Sequence, residues 1–193
     1  MNKKDYRIVF MGTPDIAKDV LEALINDGYN IVGVVAQPDK PVGRKKILQE
    51  VPTKVVAKLH NIPVFQPIKI KLDYEFMKEL KPDVIITLAY GQIVPQGLLD
   101  IPTIGSINLH GSLLPKYRGA APMQYALING DQVTGMTLMQ MIDKMDAGVM
   151  YMKKEVEISN DDTLSTLTKK MTTAAIDLIL EALPLYIENK LPG

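Results

Sequence analysis

The chain has no cysteine at all and only two histidines, His60 and His110. Without cysteine there is no disulfide framework, no thiolate nucleophile, no iron–sulfur cluster and no cysteine-ligated zinc, a composition that suits a reducing compartment. The two histidines lie fifty residues apart, so the short spacing of a two-histidine zinc site is missing and no metal is expected. An excess of either charge is also absent. Lysine and arginine total 22, as do aspartate and glutamate, so any polyanionic partner must be held locally rather than by the whole field of the protein. The opening MNKKDYRIVFMG has a short apolar run stopped by Gly12 and Pro14, too short for a signal h-region or a membrane span, and the expectation is a cytoplasmic protein with no membrane partner. Fixed-period repeats and low-complexity tracts are lacking. Glycine-rich phosphate loops are lacking too: Gly12-Thr-Pro-Asp-Ile-Ala has one glycine where a dinucleotide fingerprint needs three.

What is present is enough apolar material for a core. With 193 residues, 47% of them hydrophobic, one compact domain burying roughly 70% of its unfolded surface is expected. Residues 6–12 form an apolar run of the kind that is covered on both faces. Thr13 is placed to cap a helix beginning at Pro14, in which Ile16, Ala17, Val20, Leu21, Leu24 and Ile25 recur at helical spacing up to Asn26-Asp27-Gly28. The alternation continues with strands over 30–37, 63–66, 83–90, 106–112, 134–142 and 149–158, and helices over 53–60, 73–80 and 122–130. A long helix is expected over 162–188, with Pro184 kinking or ending it. Strands alternating with helices predict an α/β fold with a doubly wound, mostly parallel sheet. Residues 38–52 and 91–105 read as long connections, a place where function concentrates.

Three strand ends carry polar groups: Gly12-Thr13, Asn108 to Ser112, and Asp143 to Gly148. Ligands of open α/β sheets bind beyond the carboxyl ends of strands. In an extended strand Asn108 and His110 share a face, so a carboxamide and an imidazole sit side by side, able to stabilise an oxyanion; a hydrogen-bonded structural histidine is the alternative. Asp146, between Met145 and Ala147-Gly148, is either a turn aspartate or a carboxylate that orients His110 and shares in proton transfer. His60, at the end of a surface helix, is expected to be solvated. The 38–54 segment holds Lys40, Arg44, Lys45, Lys46 and Lys54 against Asp39 and Glu50, either a solvated loop or a phosphate-contacting arm.

Taken in order, RIVFMGTPDIA, QPDKPVGRKK, INLHGSLLPKYRGAAPMQYALINGD and DKMDAG resemble the methionyl-tRNA formyltransferases over Arg7 to about Pro192. The resemblance implies a Rossmann-like formyltransferase catalytic domain over 1–188. Residues 189–193 would then open a linker to a C-terminal β-barrel domain that this chain lacks. It further implies N10-formyltetrahydrofolate as formyl donor, the methionyl amine of initiator tRNA as acceptor, a monomer, and no metal. By resemblance Asn108, His110 and Asp146 are catalytic. The folate is expected against Tyr90, Gly91, Gln92, Ile93 and Val94, with Ser112, Leu113, Leu114 and Pro115, and with Asp143, Lys144 and Met145; Lys144 stands where the family commonly has glycine. Arg44, Lys45 and Lys46 are expected to contact tRNA. Formyl transfer to an amino-sugar nucleotide and hydrolysis of formyltetrahydrofolate are the alternatives, and a non-catalytic folate-binding module is disfavoured by the three catalytic residues together.

Overall fold

The computed structural model describes residues 1–192. Its nine strands are β1 (Arg7–Gly12), β2 (Asn30–Val35), β3 (Lys40–Val42), β4 (Ile47–Gln49), β5 (Val64–Phe65), β6 (Val84–Leu88), β7 (Gly105–His110), β8 (Val133–Gln140) and β9 (Met150–Glu157). Its six α-helices are α1 (Asp15–Asn26), α2 (Pro52–Leu59), α3 (Glu75–Leu80), α4 (Gln96–Leu99), α5 (Pro122–Ile128) and α6 (Leu164–Ile187). Strands β5-β2-β1-β6 lie side by side in that order, as do β7-β8-β9, and β3 and β4 pair separately. Two compact units divide the chain, one over Asn2–Ser106 and the other from Ile107 onward with Met1.

In the first unit β5, β2, β1 and β6 run parallel, as strands separated by helical crossovers must. Phe10 of β1 pairs with Val34 on one side and Ile86 on the other. Every residue of β6 is buried, and every residue of β1 after Arg7, which is why these strands read as continuous apolar runs rather than alternating ones. Helix α1 buries Ile16, Ala17, Val20, Leu21 and Leu24, as its periodicity predicts. Its start differs from expectation: Pro14 is the cap residue and no side chain caps the helix. The Thr13 hydroxyl instead donates to the Tyr90 carbonyl at 3.0 Å and accepts from the Gln37 N–H at 3.2 Å, joining the segments that follow β1, β2 and β6. Gly12 leaves no alternative at that strand end, since a Cβ there would lie 2.7 Å from the Leu88 carbonyl oxygen.

The long connections contain structure that the sequence reading leaves out. Residues 38–52 fold back as the antiparallel hairpin β3–β4, with Pro41 opposite Leu48, and residues 91–105 carry the single-turn helix α4. Three-residue strands and one helical turn are too short to show a period.

In the second unit β7, β8 and β9 are antiparallel, so the parallel pattern stops at β7. Helix α5 lies between β7 and β8, and the segment carrying Asp146 joins β8 to β9. Helix α6 opens with a reciprocal cap, the Thr163 and Thr166 hydroxyls each serving the other's backbone N–H. It buries Leu167, Met171, Ala174, Ala175, Leu178, Ile179, Ala182, Leu183 and Ile187, whereas Leu164 in its first turn is 40% exposed. Pro184 lies inside α6, which runs on for one further turn to Ile187. Gly193, the last residue of the expected linker, lies outside the described residues. Among the described residues no helix is long and apolar enough to cross a membrane.

Candidate active site

Strand β7 delivers the first two site residues. In the antiparallel register Asn108 lies opposite Met139 and His110 opposite Thr137, so the two share a face, as strand alternation requires. Asn108 is part-buried and His110 is 7% exposed. The imidazole is held by the chain just beyond its own strand: Nε2 lies 2.8 Å from the Tyr117 carbonyl oxygen. A carbonyl oxygen only accepts, so Nε2 carries the hydrogen of this bond and Nδ1 is the nitrogen turned toward Asp146.

Asp146 sits in the β8–β9 connection with φ +48, a left-handed conformation that aspartate tolerates better than most residues. Its Oδ2 accepts from the Gly119 N–H at 2.7 Å, while Oδ1 stands 3.6 Å from His110 Nδ1. That second separation is ion-pair distance rather than a hydrogen bond. Both side chains are about nine-tenths buried, so their interaction is poorly screened. Asp146 is therefore placed by the Gly119 amide, and His110 by the Tyr117 carbonyl. In the neutral ring Nδ1 is then an acceptor; protonation of the ring adds a hydrogen there, which at 3.6 Å from the carboxylate is able to turn to a substrate oxygen.

The backbone that supplies these contacts is contorted. Tyr117, Gly119 and Ala121 all have positive φ, +54, +86 and +60, and the two non-glycine residues each carry strain of about 1–2 kcal/mol. Side chains hold the loop in place. The buried Thr137 hydroxyl donates to the Ser112 carbonyl at 2.7 Å and accepts from the Leu114 N–H at 3.2 Å. The Ser112 hydroxyl donates to the Lys116 carbonyl, and Lys153 Nζ to the Leu114 carbonyl. The Leu114–Pro115 peptide is cis.

Asp131, just after α5, accepts at one carboxylate oxygen from Lys116 Nζ at 2.9 Å and from the Tyr117 hydroxyl at 2.7 Å. The hydrogen bond from Lys116, and then that from Tyr117, hold its carboxyl below the usual carboxylate range.

Gly148, two residues beyond Asp146, makes a close approach to protein: a Cβ on it would lie 2.1 Å from the Gln140 carbonyl oxygen. The Gln140 N–H in turn donates to the Val149 carbonyl at 2.8 Å, closing the neck of the Asp146 loop.

The remaining expected folate residues fall in both units. In the second, Ser112 and Leu114 are buried and Leu113 part-buried, while Pro115, Asp143, Lys144 and Met145 are exposed. In the first, Tyr90 and Val94 are buried, Gly91 and Ile93 are exposed, and Gln92 is part-buried. The Gln92 side chain is taken up structurally. Its Nε2 donates to Gln37 Oε1 at 2.9 Å and to the Pro67 carbonyl at 3.1 Å, and its Oε1 accepts from the Ile70 N–H at 2.8 Å. Both N–H donors of this side chain are therefore spent within the protein.

Arg44, Lys45 and Lys46 occupy the exposed turn of the β3–β4 hairpin. With Lys40, they make no ion pair among the described residues, whereas Lys54 pairs with Asp39 at 2.7 Å. Burial alone would raise the Asp39 carboxyl; hydrogen bonds from Lys54, Gln66 and the Val51 N–H bring it below its ordinary value. The hairpin turn is thus a concentration of uncompensated positive charge on a neutral chain. His60 is exposed at the end of α2, as expected. Among the described residues no group of three or more histidine, aspartate or glutamate side chains is gathered to hold a metal ion.

Tyr117, Gly119, Thr137 and Asp131 are absent from the sequence-derived site. Gly119 within YRGAAP is the one signal that could have pointed to the loop. The others act through a carbonyl, or through partners that only folding brings near.

Comparison with known proteins bears on the same residues. The chain is 50% identical over 187 residues to the methionyl-tRNA formyltransferase of Bacillus mycoides (strain KBAB4), a match covering 96% of this chain and 60% of that relative. It thus spans about 60% of the length of the curated relatives it matches. Among solved structures, glycinamide ribonucleotide transformylase 1 from Symbiobacterium toebii superposes with a TM-score of 0.80 at 19% identity, covering 97% of this chain and 90% of that one. A sugar 3N-formyl transferase solved in the presence of dTDP and 5-N-formyl-THF superposes with a TM-score of 0.73 at 19% identity, covering 97% and 65%. These structural likenesses establish the α/β fold with its mostly parallel sheet. The formyl transferase family model matches residues 6–183, which takes in every site residue above, and the chain belongs to the formyl transferase family.

Proposed function

We propose that this chain carries the catalytic part of a cytoplasmic, monomeric enzyme that moves the formyl group of N10-formyltetrahydrofolate to the methionyl amine of initiator tRNA. The observation that carries the reading is the setting of His110. One ring nitrogen is tied to the Tyr117 carbonyl and the other faces the Asp146 carboxylate at 3.6 Å, beside Asn108 on the same strand face. The choice of acceptor is supported by the 50% identity to relatives named methionyl-tRNA formyltransferase and by the cations of the β3–β4 turn, which make no ion pair among the described residues.

The donor supplies a formyl carbon bonded to N10. The amine nitrogen bonds to that carbon, the bond from carbon to N10 breaks, and the proton lost by the amine ends on N10. The Asn108 carboxamide and, with the ring protonated, the Nδ1–H of His110 stabilise the oxygen that becomes negative on the way. Asp146 accepts the amine proton, directly or through water, and returns it to N10. Fixing Nε2 on Tyr117 reserves Nδ1 for this work. No step passes through a metal. For the donor, Tyr90–Val94, Ser112–Pro115 and Asp143–Met145 are each kept as candidate contacts, to be separated by substitution.

The test is formyl transfer from N10-formyltetrahydrofolate to methionyl initiator tRNA, methionyl elongator tRNA and an amino-sugar nucleotide at low salt, with His110→Ala as control. Initiator formylation that disappears in the variant supports the proposal. Activity confined to the sugar nucleotide, or hydrolysis of the donor without an acceptor, sinks it.

A further inference from the structure

We propose that Tyr117 and Asp131 are positioning residues for His110: the phenol, held at its tip, keeps the Tyr117 backbone in the conformation that presents its carbonyl oxygen to the imidazole. The proposal deepens the reading of His110 as the catalytic imidazole and rests on it.

Tyr117 has φ +54, a region where a bulky side chain is an outlier unless its surroundings hold it there. The structure shows what holds it. The Tyr117 hydroxyl donates to Asp131 Oδ2 at 2.7 Å and accepts from Asn129 Nδ2 at 2.8 Å. Its ring stacks on Tyr125, centroids 6.2 Å apart and planes 18° from parallel. Asp131 is itself fixed, its N–H donating to the Ala126 carbonyl at 3.0 Å at the end of α5. The same Tyr117 residue whose side chain is pinned offers the carbonyl that binds His110 Nε2 at 2.8 Å. One continuous path therefore runs from α5 through the phenol and the strained backbone to the imidazole. Cutting the hydroxyl contacts lets Tyr117 relax toward ordinary negative φ, which swings its carbonyl away. Nε2 then loses the acceptor that fixes its hydrogen, and Nδ1 is no longer reserved for the substrate.

The competing account is that Asp131 serves only as the partner of Lys116, an ion pair at 2.9 Å on an exposed lysine. The two accounts separate by chemistry. Asp131→Asn removes the charge that Lys116 needs but keeps an oxygen for the phenol, whereas Asp131→Ala removes both. Lys116→Met removes the ion pair and the cation that lies 5.2 Å from the Tyr117 ring centroid, and leaves the hydrogen bonds of the phenol hydroxyl intact.

With only two histidines in the chain, imidazole 15N NMR reads His110 directly once His60→Gln assigns the other ring. For the neutral ring the expected spectrum is a single Nε2–H tautomer, retained in Asp131→Asn and Lys116→Met. Tyr117→Phe and Asp131→Ala are expected to show a mixture of tautomers. In turnover, kcat is expected to fall about tenfold in those two variants with KM for the donor little changed, and no more than about threefold in Asp131→Asn. An unchanged tautomer in a folded Tyr117→Phe overturns the proposal, as does Asp131→Asn behaving like Asp131→Ala. The spectra need no acceptor, so inactivity of the parent chain on methionyl-tRNA would count against the proposed function while the tautomer still decides the role of Tyr117.

Discussion

The Nε2 of His110 and the carbonyl oxygen of Tyr117, seven residues apart in sequence, are joined by a 2.8 Å hydrogen bond. A carbonyl has no hydrogen to give, so this contact decides which ring nitrogen is committed and which faces Asp146. The division of labour follows: Tyr117 sets the ring, the Gly119 amide sets the carboxylate at 2.7 Å, and ring and carboxylate stand side by side, 3.6 Å apart and not hydrogen-bonded to one another.

Asp146→Asn keeps an oxygen for the Gly119 N–H and removes the negative charge. Formyl transfer is expected to slow by about 10²–10⁴-fold, while affinity for the folate donor and thermal stability stay near those of the parent. Single-turnover kinetics beside fluorescence titration with the folate would measure both. A loss of folate affinity matching the loss of rate would make Asp146 a binding residue instead.

Gly148→Ala places a methyl group against the Gln140 carbonyl, at 2.1 Å before any relaxation. The neck of the Asp146 loop must open, with an expected loss of about 1–3 kcal/mol of stability and of turnover together. Gly130→Ala is the control. Unlike Gly148 it has positive φ, +66, but a Cβ there meets nothing within 4 Å, so about 1 kcal/mol and unchanged turnover are expected. Urea unfolding of the two variants would show the difference, and equal losses would remove the argument from close approach.

Replacing Arg44, Lys45 and Lys46 together by alanine should leave stability unchanged, because these side chains are exposed and make no ion pair among the described residues. Binding of the tRNA acceptor should weaken. The slope of log affinity against log salt should flatten by about one for each phosphate contact removed. Titrations at several salt concentrations test this, and an unchanged slope would return the hairpin to the status of a solvated loop.

Tyr29 is 2% exposed and its hydroxyl has no hydrogen-bond partner among the described residues. Burial, and then the charge of Asp27, push its phenol up from 10.0 to about 12. The folded chain therefore holds a proton that the unfolded chain releases. The contribution to stability is complete below pH 10 and is lost as pH rises toward 12. Tyr29→Phe should cost little at neutral pH, since it removes an unpaired buried group, and should flatten the alkaline fall of the urea midpoint. An alkaline limb identical to the parent's would place the loss elsewhere.

The parts of the fold that show in the sequence are those with a period or a long apolar run. Strands β1 and β6 stand out because both faces are covered, and α1 because its buried positions recur at helical spacing. The β3–β4 hairpin and α4 do not show, being too short for any period. Thr13 shows as a polar residue before a helix, yet it is spent on Tyr90 and Gln37, because the parallel strand ends bring those groups nearer than the helix amides. Pro184 passes inside α6, where buried neighbours on both sides hold the helix against a local breaker.

By itself the sequence determined the alternation of strands and helices, the common face of Asn108 and His110, and the motifs that carry the family. All of these depend on spacing along one chain, which covalent geometry sets. Tertiary structure alone decided that His110 is turned by a carbonyl, that Asp146 is held by an amide, and that a phenol braced on Asp131 supports the loop between them. Backbone N–H and C=O groups are the same at every position and carry no residue identity. Where they act as the positioning groups, only the fold can say which of them meet.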